Sequence, residues 1–141
     1  MDTYGQLCKV MDRVYDAHIG LEQKFVAASE FKDISVNDMH VLDAIGPDTE
    51  KNMSSVAKTV GVTVGTLTIA VNGLVKKGYV LRKRSEKDRR VVLISLSERG
   101  ALAYAYHQKF YEKMGYILGS HLEEKNAAML AECLGKVLDY L

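Results

Sequence analysis

The sequence has little of what disordered or membrane-spanning chains contain. It has a single proline, Pro47, no low-complexity tract and no long run of like charge, so we expect a chain that is folded nearly throughout. No stretch approaches the ~18 consecutive apolar residues that a membrane-spanning helix needs. The first ten residues, MDTYGQLCKV, lack the apolar segment of a signal peptide. We therefore expect a cytoplasmic protein with no membrane partner.

Cysteine is also scarce, which limits the chemistry available to the chain. Cys8 and Cys133 are too few, and too far apart in sequence, for a disulfide framework or a four-ligand zinc site. No cysteine–histidine or serine–histidine pair lies in a diagnostic local motif for nucleophilic catalysis. We predict that the protein is not an enzyme, and that it has no catalytic residues, no cofactor and no metal site.

The charges are distributed unevenly along a chain that is almost neutral overall. The 141 residues carry a net charge of +1 and are 48% hydrophobic, which is enough for one domain with a substantial core. Between Lys76 and Arg90, however, eight basic and two acidic residues give a local net charge of +6. Such a basic segment is typical of a phosphate-docking surface, although a solvated charged hairpin would have the same composition.

Apolar residues recur at alternating spacings of three and four between residues 3 and 29, which predicts a long amphipathic helix. Ser35 is a candidate N-cap for a second helix, with Asp38 three residues later, and Gly46 and Pro47 end that helix. The stripe of the first helix consists of Leu7, Val10, Val14, Ala17, Leu21 and Phe25.

The next segment predicts a helix-turn-helix. Ser54 opens a short helix that stops at Gly61, and Thr63 caps a second helix over residues 64 to 77. Gly78 takes the left-handed position that ends this second helix. Two short helices joined by a glycine-containing turn are the usual form of this DNA-binding motif.

A charged β-hairpin is predicted after the helix-turn-helix, from residues 79–84 and 90–96, which are rich in β-branched and aromatic residues. Its long polar loop should project as a wing. Ser97 caps a further helix, and the sequence Ser120-His121-Leu122-Glu123 resembles a capping box that opens a last helix. These helices carry more apolar surface than one small domain can cover, which favours a homodimer.

The predicted fold class is therefore mainly α with a small β-wing. We expect one domain over residues 1–141, with a winged helix-turn-helix at 36–100 and dimerisation helices at 1–30 and 101–141.

The predicted function is recognition of double-stranded DNA. In a helix-turn-helix the second helix enters the major groove, and its first turns meet base edges. An arginine held by a neighbouring carboxylate suits a narrow minor groove, so Arg90, oriented by Asp88, is the candidate at the wing tip. The candidate DNA-binding residues are Ser54, Thr63, Gly65, Thr66, Thr68, Asn72, Arg82, Arg84, Lys87, Asp88, Arg89 and Arg90.

From residue 51 to 100 the sequence resembles the MarR family of transcription regulators. The helix-turn-helix, the Lys-Lys-Gly at its end, the Asp-Arg-Arg at the wing tip and the closing Leu-Ser-Glu-Arg-Gly occur in the family's order. Residues 31–46 further resemble the FabT group of that family. The resemblance implies a homodimeric repressor of fatty-acid and lipid synthesis genes that binds a palindromic operator and responds to long-chain acyl groups on acyl carrier protein.

An acyl chain would need an apolar pocket, for which the candidate lining residues are Met11, Met39, Ile45, Met114 and Ile117. Methionines at helical spacing are also ordinary core residues, so this assignment competes with simple packing.

Other signals stay open for a regulator of this family. They are oxidation of the thiol of Cys8, a small aromatic ligand, and zinc. The candidate zinc ligands are His40 and His107, although His107 has Tyr111 rather than histidine one turn later. A winged helix that binds protein instead of DNA is a further alternative, but it would have little need of the +6 segment.

Overall fold

The computed structural model describes residues 2–141, which form two compact units, one ending at His107 and one running from Gln108 to Leu141. The structure is mainly helical with one small antiparallel sheet, which confirms the predicted fold class. Its elements are α1 Thr3–Ala27, α2 Val36–Ile45, β1 Lys51–Asn52, α3 Met53–Val60, α4 Val64–Lys76, β2 Val80–Arg84, β3 Val92–Leu96, α5 Glu98–His121 and α6 Glu124–Tyr140.

The helix boundaries around the helix-turn-helix follow from local capping chemistry. Ser35 and Asp38 form a reciprocal capping box at the start of α2. The side chain of Thr63 accepts a hydrogen bond from the backbone N–H of Thr66 and so caps α4. Gly61 and Gly78 have φ angles of 82° and 86°, the left-handed conformation that ends a helix. These four predictions are confirmed.

Two predicted N-caps are wrong. Helix α3 begins one residue earlier than Ser54, because Asn52 is its N-cap and accepts a hydrogen bond from the Ser55 N–H at 2.8 Å. Strand β1, which the sequence did not predict, pairs Asn52 with Leu93 and so fixes where the chain leaves the sheet. Ser120 opens no helix: it lies within α5, and its hydroxyl donates to the carbonyl of Tyr116.

The sheet has the strand order β1-β3-β2 and is antiparallel throughout. The wing is the β2–β3 hairpin, whose register pairs Val80 with Leu96 and Arg84 with Val92. Both strands are one or two residues shorter than predicted, since Tyr79 and Arg90 lie outside them. The residues between the strands therefore form a longer charged tip.

Helix α2 supplies the centre of the core in the first unit. Met39, Leu42 and Ile45 have no solvent exposure, and α2 packs against α3, α4 and β3. The inner faces of α3 and α4 are buried as well, with Val56, Ala57, Leu67, Val71 and Leu74 among the core residues. One face of α4 is thus packed against the core, and its opposite face is exposed.

The apolar stripe of α1 is not buried by the chain itself. Leu7, Val10 and Val14 are 48%, 53% and 61% exposed, whereas Glu22 is buried. Helix α6, in the second unit, has no buried residue. Within residues 2–141 no single helix has the length and apolarity to cross a membrane; α3 and α4 meet that criterion only as a pair bent by 103°.

We expect Gly100→Ala to destabilise the protein by about 1–3 kcal/mol, the usual cost of overpacking a closed site. A Cβ at Gly100 would lie 2.0 Å from the carbonyl oxygen of Tyr79, which is backbone and cannot move aside. Chemical denaturation of the two proteins measures the difference.

The matched control is Gly73→Ala in α4, where a Cβ meets nothing within 4 Å. Alanine there should stabilise the protein by up to about 1 kcal/mol through its helix propensity. Equal unfolding midpoints for both variants would contradict the close approach at Gly100.

Candidate nucleic-acid interface

The outer face of α4 is exposed and carries side chains suited to base edges. Gly65, Ile69 and Asn72 follow one another at helical spacing on this face. The absence of a side chain at Gly65 leaves the first turn of the helix open, and the free N–H groups there favour a phosphate. The face therefore combines a site for close backbone approach with one apolar and one amide side chain.

The candidate threonines differ in how much hydrogen-bonding capacity they have left. Thr63 caps α4, and its hydroxyl lies 3.0 Å from that of Thr66. The hydroxyl of Thr68 donates to the carbonyl of Val64 at 2.7 Å. A hydroxyl keeps acceptor capacity when it donates, so Thr68 presents its methyl group and an acceptor rather than a donor.

Helix α4 and the wing are joined by a side-chain hydrogen bond. The guanidinium of Arg82, on β2, donates from Nη1 to Oδ1 of Asn72 at 2.5 Å. Both side chains are exposed. This contact brings together two sequence-predicted residues from different elements, and it uses neither the amide N–H₂ of Asn72 nor the other guanidinium N–H groups of Arg82 as donors.

At the wing tip, Asp88 holds Arg90 by two-point pairing. Nε and Nη2 of Arg90 each lie 3.0 Å from an oxygen of Asp88, and the backbone N–H of Arg90 donates to the same carboxylate at 3.1 Å. These hydrogen bonds hold the pKa of Asp88 below its usual value. The Arg90 side chain is nevertheless 90% exposed, so it is oriented without being covered.

The other basic side chains of the wing differ in their hydrogen-bond and ion-pair partners. Arg84 donates from Nη1 to the carbonyl of Arg89 at 2.9 Å, which orders the turn. Lys83 is paired with Glu50 at 2.7 Å, and this partner raises the pKa of the lysine. Lys87 and Arg89 are exposed at the tip, and Ser54 is exposed on α3.

The sequence reading missed Ile69 as a candidate contact. Its side chain is 76% exposed, although isoleucine is usually buried, and Val64 at the start of the same helix is 44% exposed. An apolar side chain on a recognition helix is suited to the methyl group of thymine. The signal was present in the sequence, since residue 69 lies outside the inward stripe formed by Leu67, Val71 and Leu74.

A polar junction fixes the base of the wing. The buried Tyr79 donates its hydroxyl proton to Asp33 at 2.5 Å and accepts a hydrogen bond from Arg99 at 2.9 Å. The Arg99 guanidinium also lies 4.8 Å from the centre of the Tyr79 ring, within cation–π range. The hydrogen bond from Tyr79 is the main cause that lowers the pKa of Asp33.

The five residues predicted for an effector pocket lie in different surroundings. Met39 and Ile45 are fully buried in the core of the first unit, and Met11 is 40% exposed on α1. Met114 and Ile117 belong to the second unit. None of the five lines a groove of about 840 Å³ in the first unit.

This groove lies between α1, the segment after it and the start of α2. Its lining mixes apolar side chains with polar ones, among them Lys32, Glu22 and two histidines. The lining residues are Tyr15, His18, Ile19, Glu22, Gln23, Val26, Ala27, Lys32, Ile34, Ser35, Val36, Asn37 and His40.

Comparison with known proteins supports a regulatory role. A family model described as transcriptional regulator SarA/Rot matches residues 25–104. The HTH-type transcriptional regulator SarZ of Staphylococcus epidermidis is 45% identical over 60 residues, 43% of this chain, but the matched segment spans only 40% of that regulator's length.

Two solved structures resemble the whole chain. Streptococcus pneumoniae FabT in complex with DNA has a TM-score of 0.89 and 32% identity, over 97% of this chain and 96% of FabT. A MarR variant from E. coli complexed with operator DNA has a TM-score of 0.78 and 26% identity, over 98% of this chain and 99% of MarR.

The junction at Tyr79 predicts a pH-dependent contribution to stability. Because the pKa of Asp33 is lowered in the folded state, the stabilisation is complete above the pKa of an unfolded aspartate, ~3.9, and is lost as the pH falls through the lower folded value. Tyr79→Phe removes the main donor. The difference in unfolding free energy between wild type and this variant should therefore be constant near neutral pH and shrink below about pH 4.

Urea unfolding between pH 2.5 and 7 measures this difference. Tyr4→Phe, at a tyrosine that is 79% exposed, is the matched control and should follow the wild-type profile. A difference for Tyr79→Phe that persists unchanged into strong acid would contradict the role of Asp33.

Proposed function

Since this chain belongs to the SarA/Rot family of transcriptional regulators and has the winged-helix fold of MarR-type regulators, we propose that it binds an operator in duplex DNA as a homodimer. We further propose that it represses fatty-acid synthesis genes and that long-chain acyl groups on acyl carrier protein modulate its affinity.

The observation that carries the DNA-binding proposal is the geometry of the wing tip. Arg90 is almost fully exposed, yet Asp88 restricts its orientation through two hydrogen bonds. An exposed, pre-ordered guanidinium loses little conformational entropy when it enters a minor groove, where the negative potential is strongest. The +6 segment around it supports docking on phosphates, with Arg82, Arg84, Lys87 and Arg89 as contacts.

The exposed apolar faces support the homodimer. Leu7, Val10 and Val14 form a stripe on α1, and Leu130 and Val137 are 43% and 47% exposed on α6. Contiguous apolar surface of this kind is normally covered in solution. A two-fold dimer would set two copies of α4 in successive major grooves about 34–36 Å apart and so match a palindrome.

The acyl response rests on the resemblance to FabT and on the groove beside α1. The groove is open to solvent and lined by Ile19, Val26 and Ile34, so an alkyl chain has apolar surface to cover there. Met39 and Ile45, by contrast, have no exposed surface, and a ligand among them would have to displace packed core. The groove is therefore the better candidate for the acyl chain.

Arg90→Ala should weaken operator binding by at least tenfold without unfolding the protein, because Arg90 buries nothing in the free chain. Fluorescence anisotropy with a labelled operator measures the affinity at several salt concentrations, and the same titration tests for two chains per duplex. The slope of log affinity against log salt should also become shallower.

Two variants make this experiment specific. Arg90→Lys keeps the charge but loses the two-point pairing with Asp88. Its affinity should therefore fall, while its slope of log affinity against log salt stays close to that of wild type. Lys113→Ala, an exposed cation on α5 outside the interface, should bind like wild type. Wild-type affinity in Arg90→Ala would refute the wing assignment.

The acyl proposal predicts that long-chain acyl-acyl carrier protein changes the affinity for a fatty-acid-synthesis promoter by roughly 5- to 150-fold, the usual range of allosteric coupling. The control is acyl carrier protein without an acyl group, which should have no effect. Specific DNA binding with no acyl response would support the DNA-binding proposal and contradict the proposed response to acyl groups. Absence of specific DNA binding would remove the whole proposal.

A further inference from the structure

Helix α4 exposes a large apolar side chain in the middle of its outer face. Ile69 is 76% exposed, whereas its neighbours Leu67 and Val71 have no solvent exposure. An isoleucine at such a position adds nothing to the core, and its helix propensity is lower than that of alanine. The free chain therefore gains no stability from Ile69, which favours a role in contact with another molecule.

The side chain of Ile69 is also stiff. A β-branched isoleucine in a helix has one strongly preferred χ1 rotamer. Its apolar surface is therefore held in one orientation before binding, and little conformational entropy is lost when that surface is covered. On the major-groove edges of DNA the apolar group is the C5-methyl group of thymine. Ile69 is suited to cover it.

Asn72, one turn after Ile69, has its side-chain amide oriented by the wing. The amide atom that lies 2.5 Å from Nη1 of Arg82 must be the oxygen, because a guanidinium group has only donors. The oxygen keeps a second lone pair, but the positive charge beside it opposes the approach of a base amino group, whose hydrogens are partly positive. Asn72 is thus left to act as a donor through its amide N–H₂.

Thymine is the base whose major-groove edge matches a donor next to an apolar contact. Adenine needs the oxygen and the N–H₂ of an asparagine together, cytosine presents an amino donor, and guanine has acceptors but no methyl group. Thymine has a methyl group at C5 and the acceptor O4 on the adjacent ring atom. Side chains three residues apart on a helix have Cβ atoms about 5–6 Å apart, so both can reach one base edge.

We infer that Ile69 and Asn72 together read a thymine in each half of the operator. Ile69 covers the C5-methyl group, and Asn72 donates an amide N–H to O4. Arg82 is a positioning residue, because it fixes which end of the amide faces the base. The inference rests on the proposed function, since it requires α4 to enter the major groove, and it adds the base that is recognised there.

The experiment replaces thymine by two analogues that separate the methyl group from O4. The probe is a fluorescein-labelled duplex selected by the wild-type protein from a random-sequence library. Each thymine is replaced together with its symmetry mate, first by deoxyuridine, which lacks only the methyl group. It is then replaced by 5-methyldeoxycytidine paired with guanine, which keeps the methyl group but presents an amino donor instead of O4. Fluorescence anisotropy measures each affinity.

Deoxyuridine at the thymine that Ile69 contacts should weaken binding by wild type about 10-fold, because one buried methyl group is lost in each half-site. Ile69→Ala should bind the thymine and deoxyuridine duplexes equally at that position. Since Ile69 is exposed, this variant should fold, which circular dichroism verifies. The thymines at other positions are internal controls, where removal of the methyl group should have little effect.

Asn72→Asp keeps an acceptor for Arg82 but replaces the amide donor with a second acceptor. Wild type should prefer thymine over 5-methylcytosine by at least about 10-fold at the recognised position, and this variant should reverse the preference. The ratio of the two affinities cancels the general effect of the added negative charge on phosphate binding. The matched control is Asn126→Asp at an exposed residue of α6, which should keep the wild-type preference.

The outcomes separate this inference from the proposed function. Equal binding of the thymine and deoxyuridine duplexes by wild type at every position, or an undiminished effect of the methyl group in Ile69→Ala, would overturn the inference. A preference for thymine that survives Asn72→Asp would also overturn it. Each of these results leaves specific DNA binding intact, whereas a library from which no sequence is enriched would contradict the DNA-binding proposal and the inference together.

Discussion

The position of the wing depends on the contacts of one buried residue, Tyr79. Its backbone N–H donates to the carbonyl of Leu74 at the end of α4, and its own carbonyl accepts from the N–H of Ser97 at the start of α5. Its ring lies under Arg99, and its hydroxyl reaches Asp33. Three other segments of the chain therefore meet at this residue, and Gly100 is required because α5 passes so close to it.

This junction explains how a small charged hairpin can be ordered. A two-stranded ribbon is only marginally stable by itself, but β3 also pairs with β1, and the base of β2 is fixed by Tyr79. Local polar contacts restrain the rest of the hairpin. Arg82 donates to Asn72, Arg84 donates to the carbonyl of Arg89, and the carboxylate of Asp88 accepts from the backbone N–H of Arg90. The tip keeps its charges exposed while its backbone geometry is restrained.

The parts of the fold that depend on neighbours in sequence could be predicted from the sequence. The caps at Ser35 and Thr63, the glycines that end α3 and α4, and the buried face of α4 all express interactions within four residues. The cap at Asn52 could not be predicted, because it depends on the pairing of β1 with a strand some 40 residues later. Local propensity alone does not distinguish Asn52 from Ser54.

The candidate functional residues also include some that the sequence predicts and some that it does not. The wing cations and the exposed face of α4 follow from charge and helical period, and even Ile69 was available to that reasoning. The burial of Glu22 could not be predicted from the sequence, because glutamate on an amphipathic helix ordinarily faces solvent. The approach of His40 and His107, 18 and 85 positions away, gives that carboxylate hydrogen-bond partners. Contacts over such separations are set by tertiary packing, which a single sequence does not reveal.

The hydrogen bond between Asn72 and Arg82 has an evolutionary consequence for how such an interface changes its DNA preference. A substitution at position 72 removes the acceptor of Arg82 and frees the arginine to adopt other rotamers, so its effect depends on which residue is present at position 82. The recognition helix and the wing are thus epistatically coupled. Related regulators that diverge in operator sequence should do so by paired replacements across this contact, rather than by independent changes in each element.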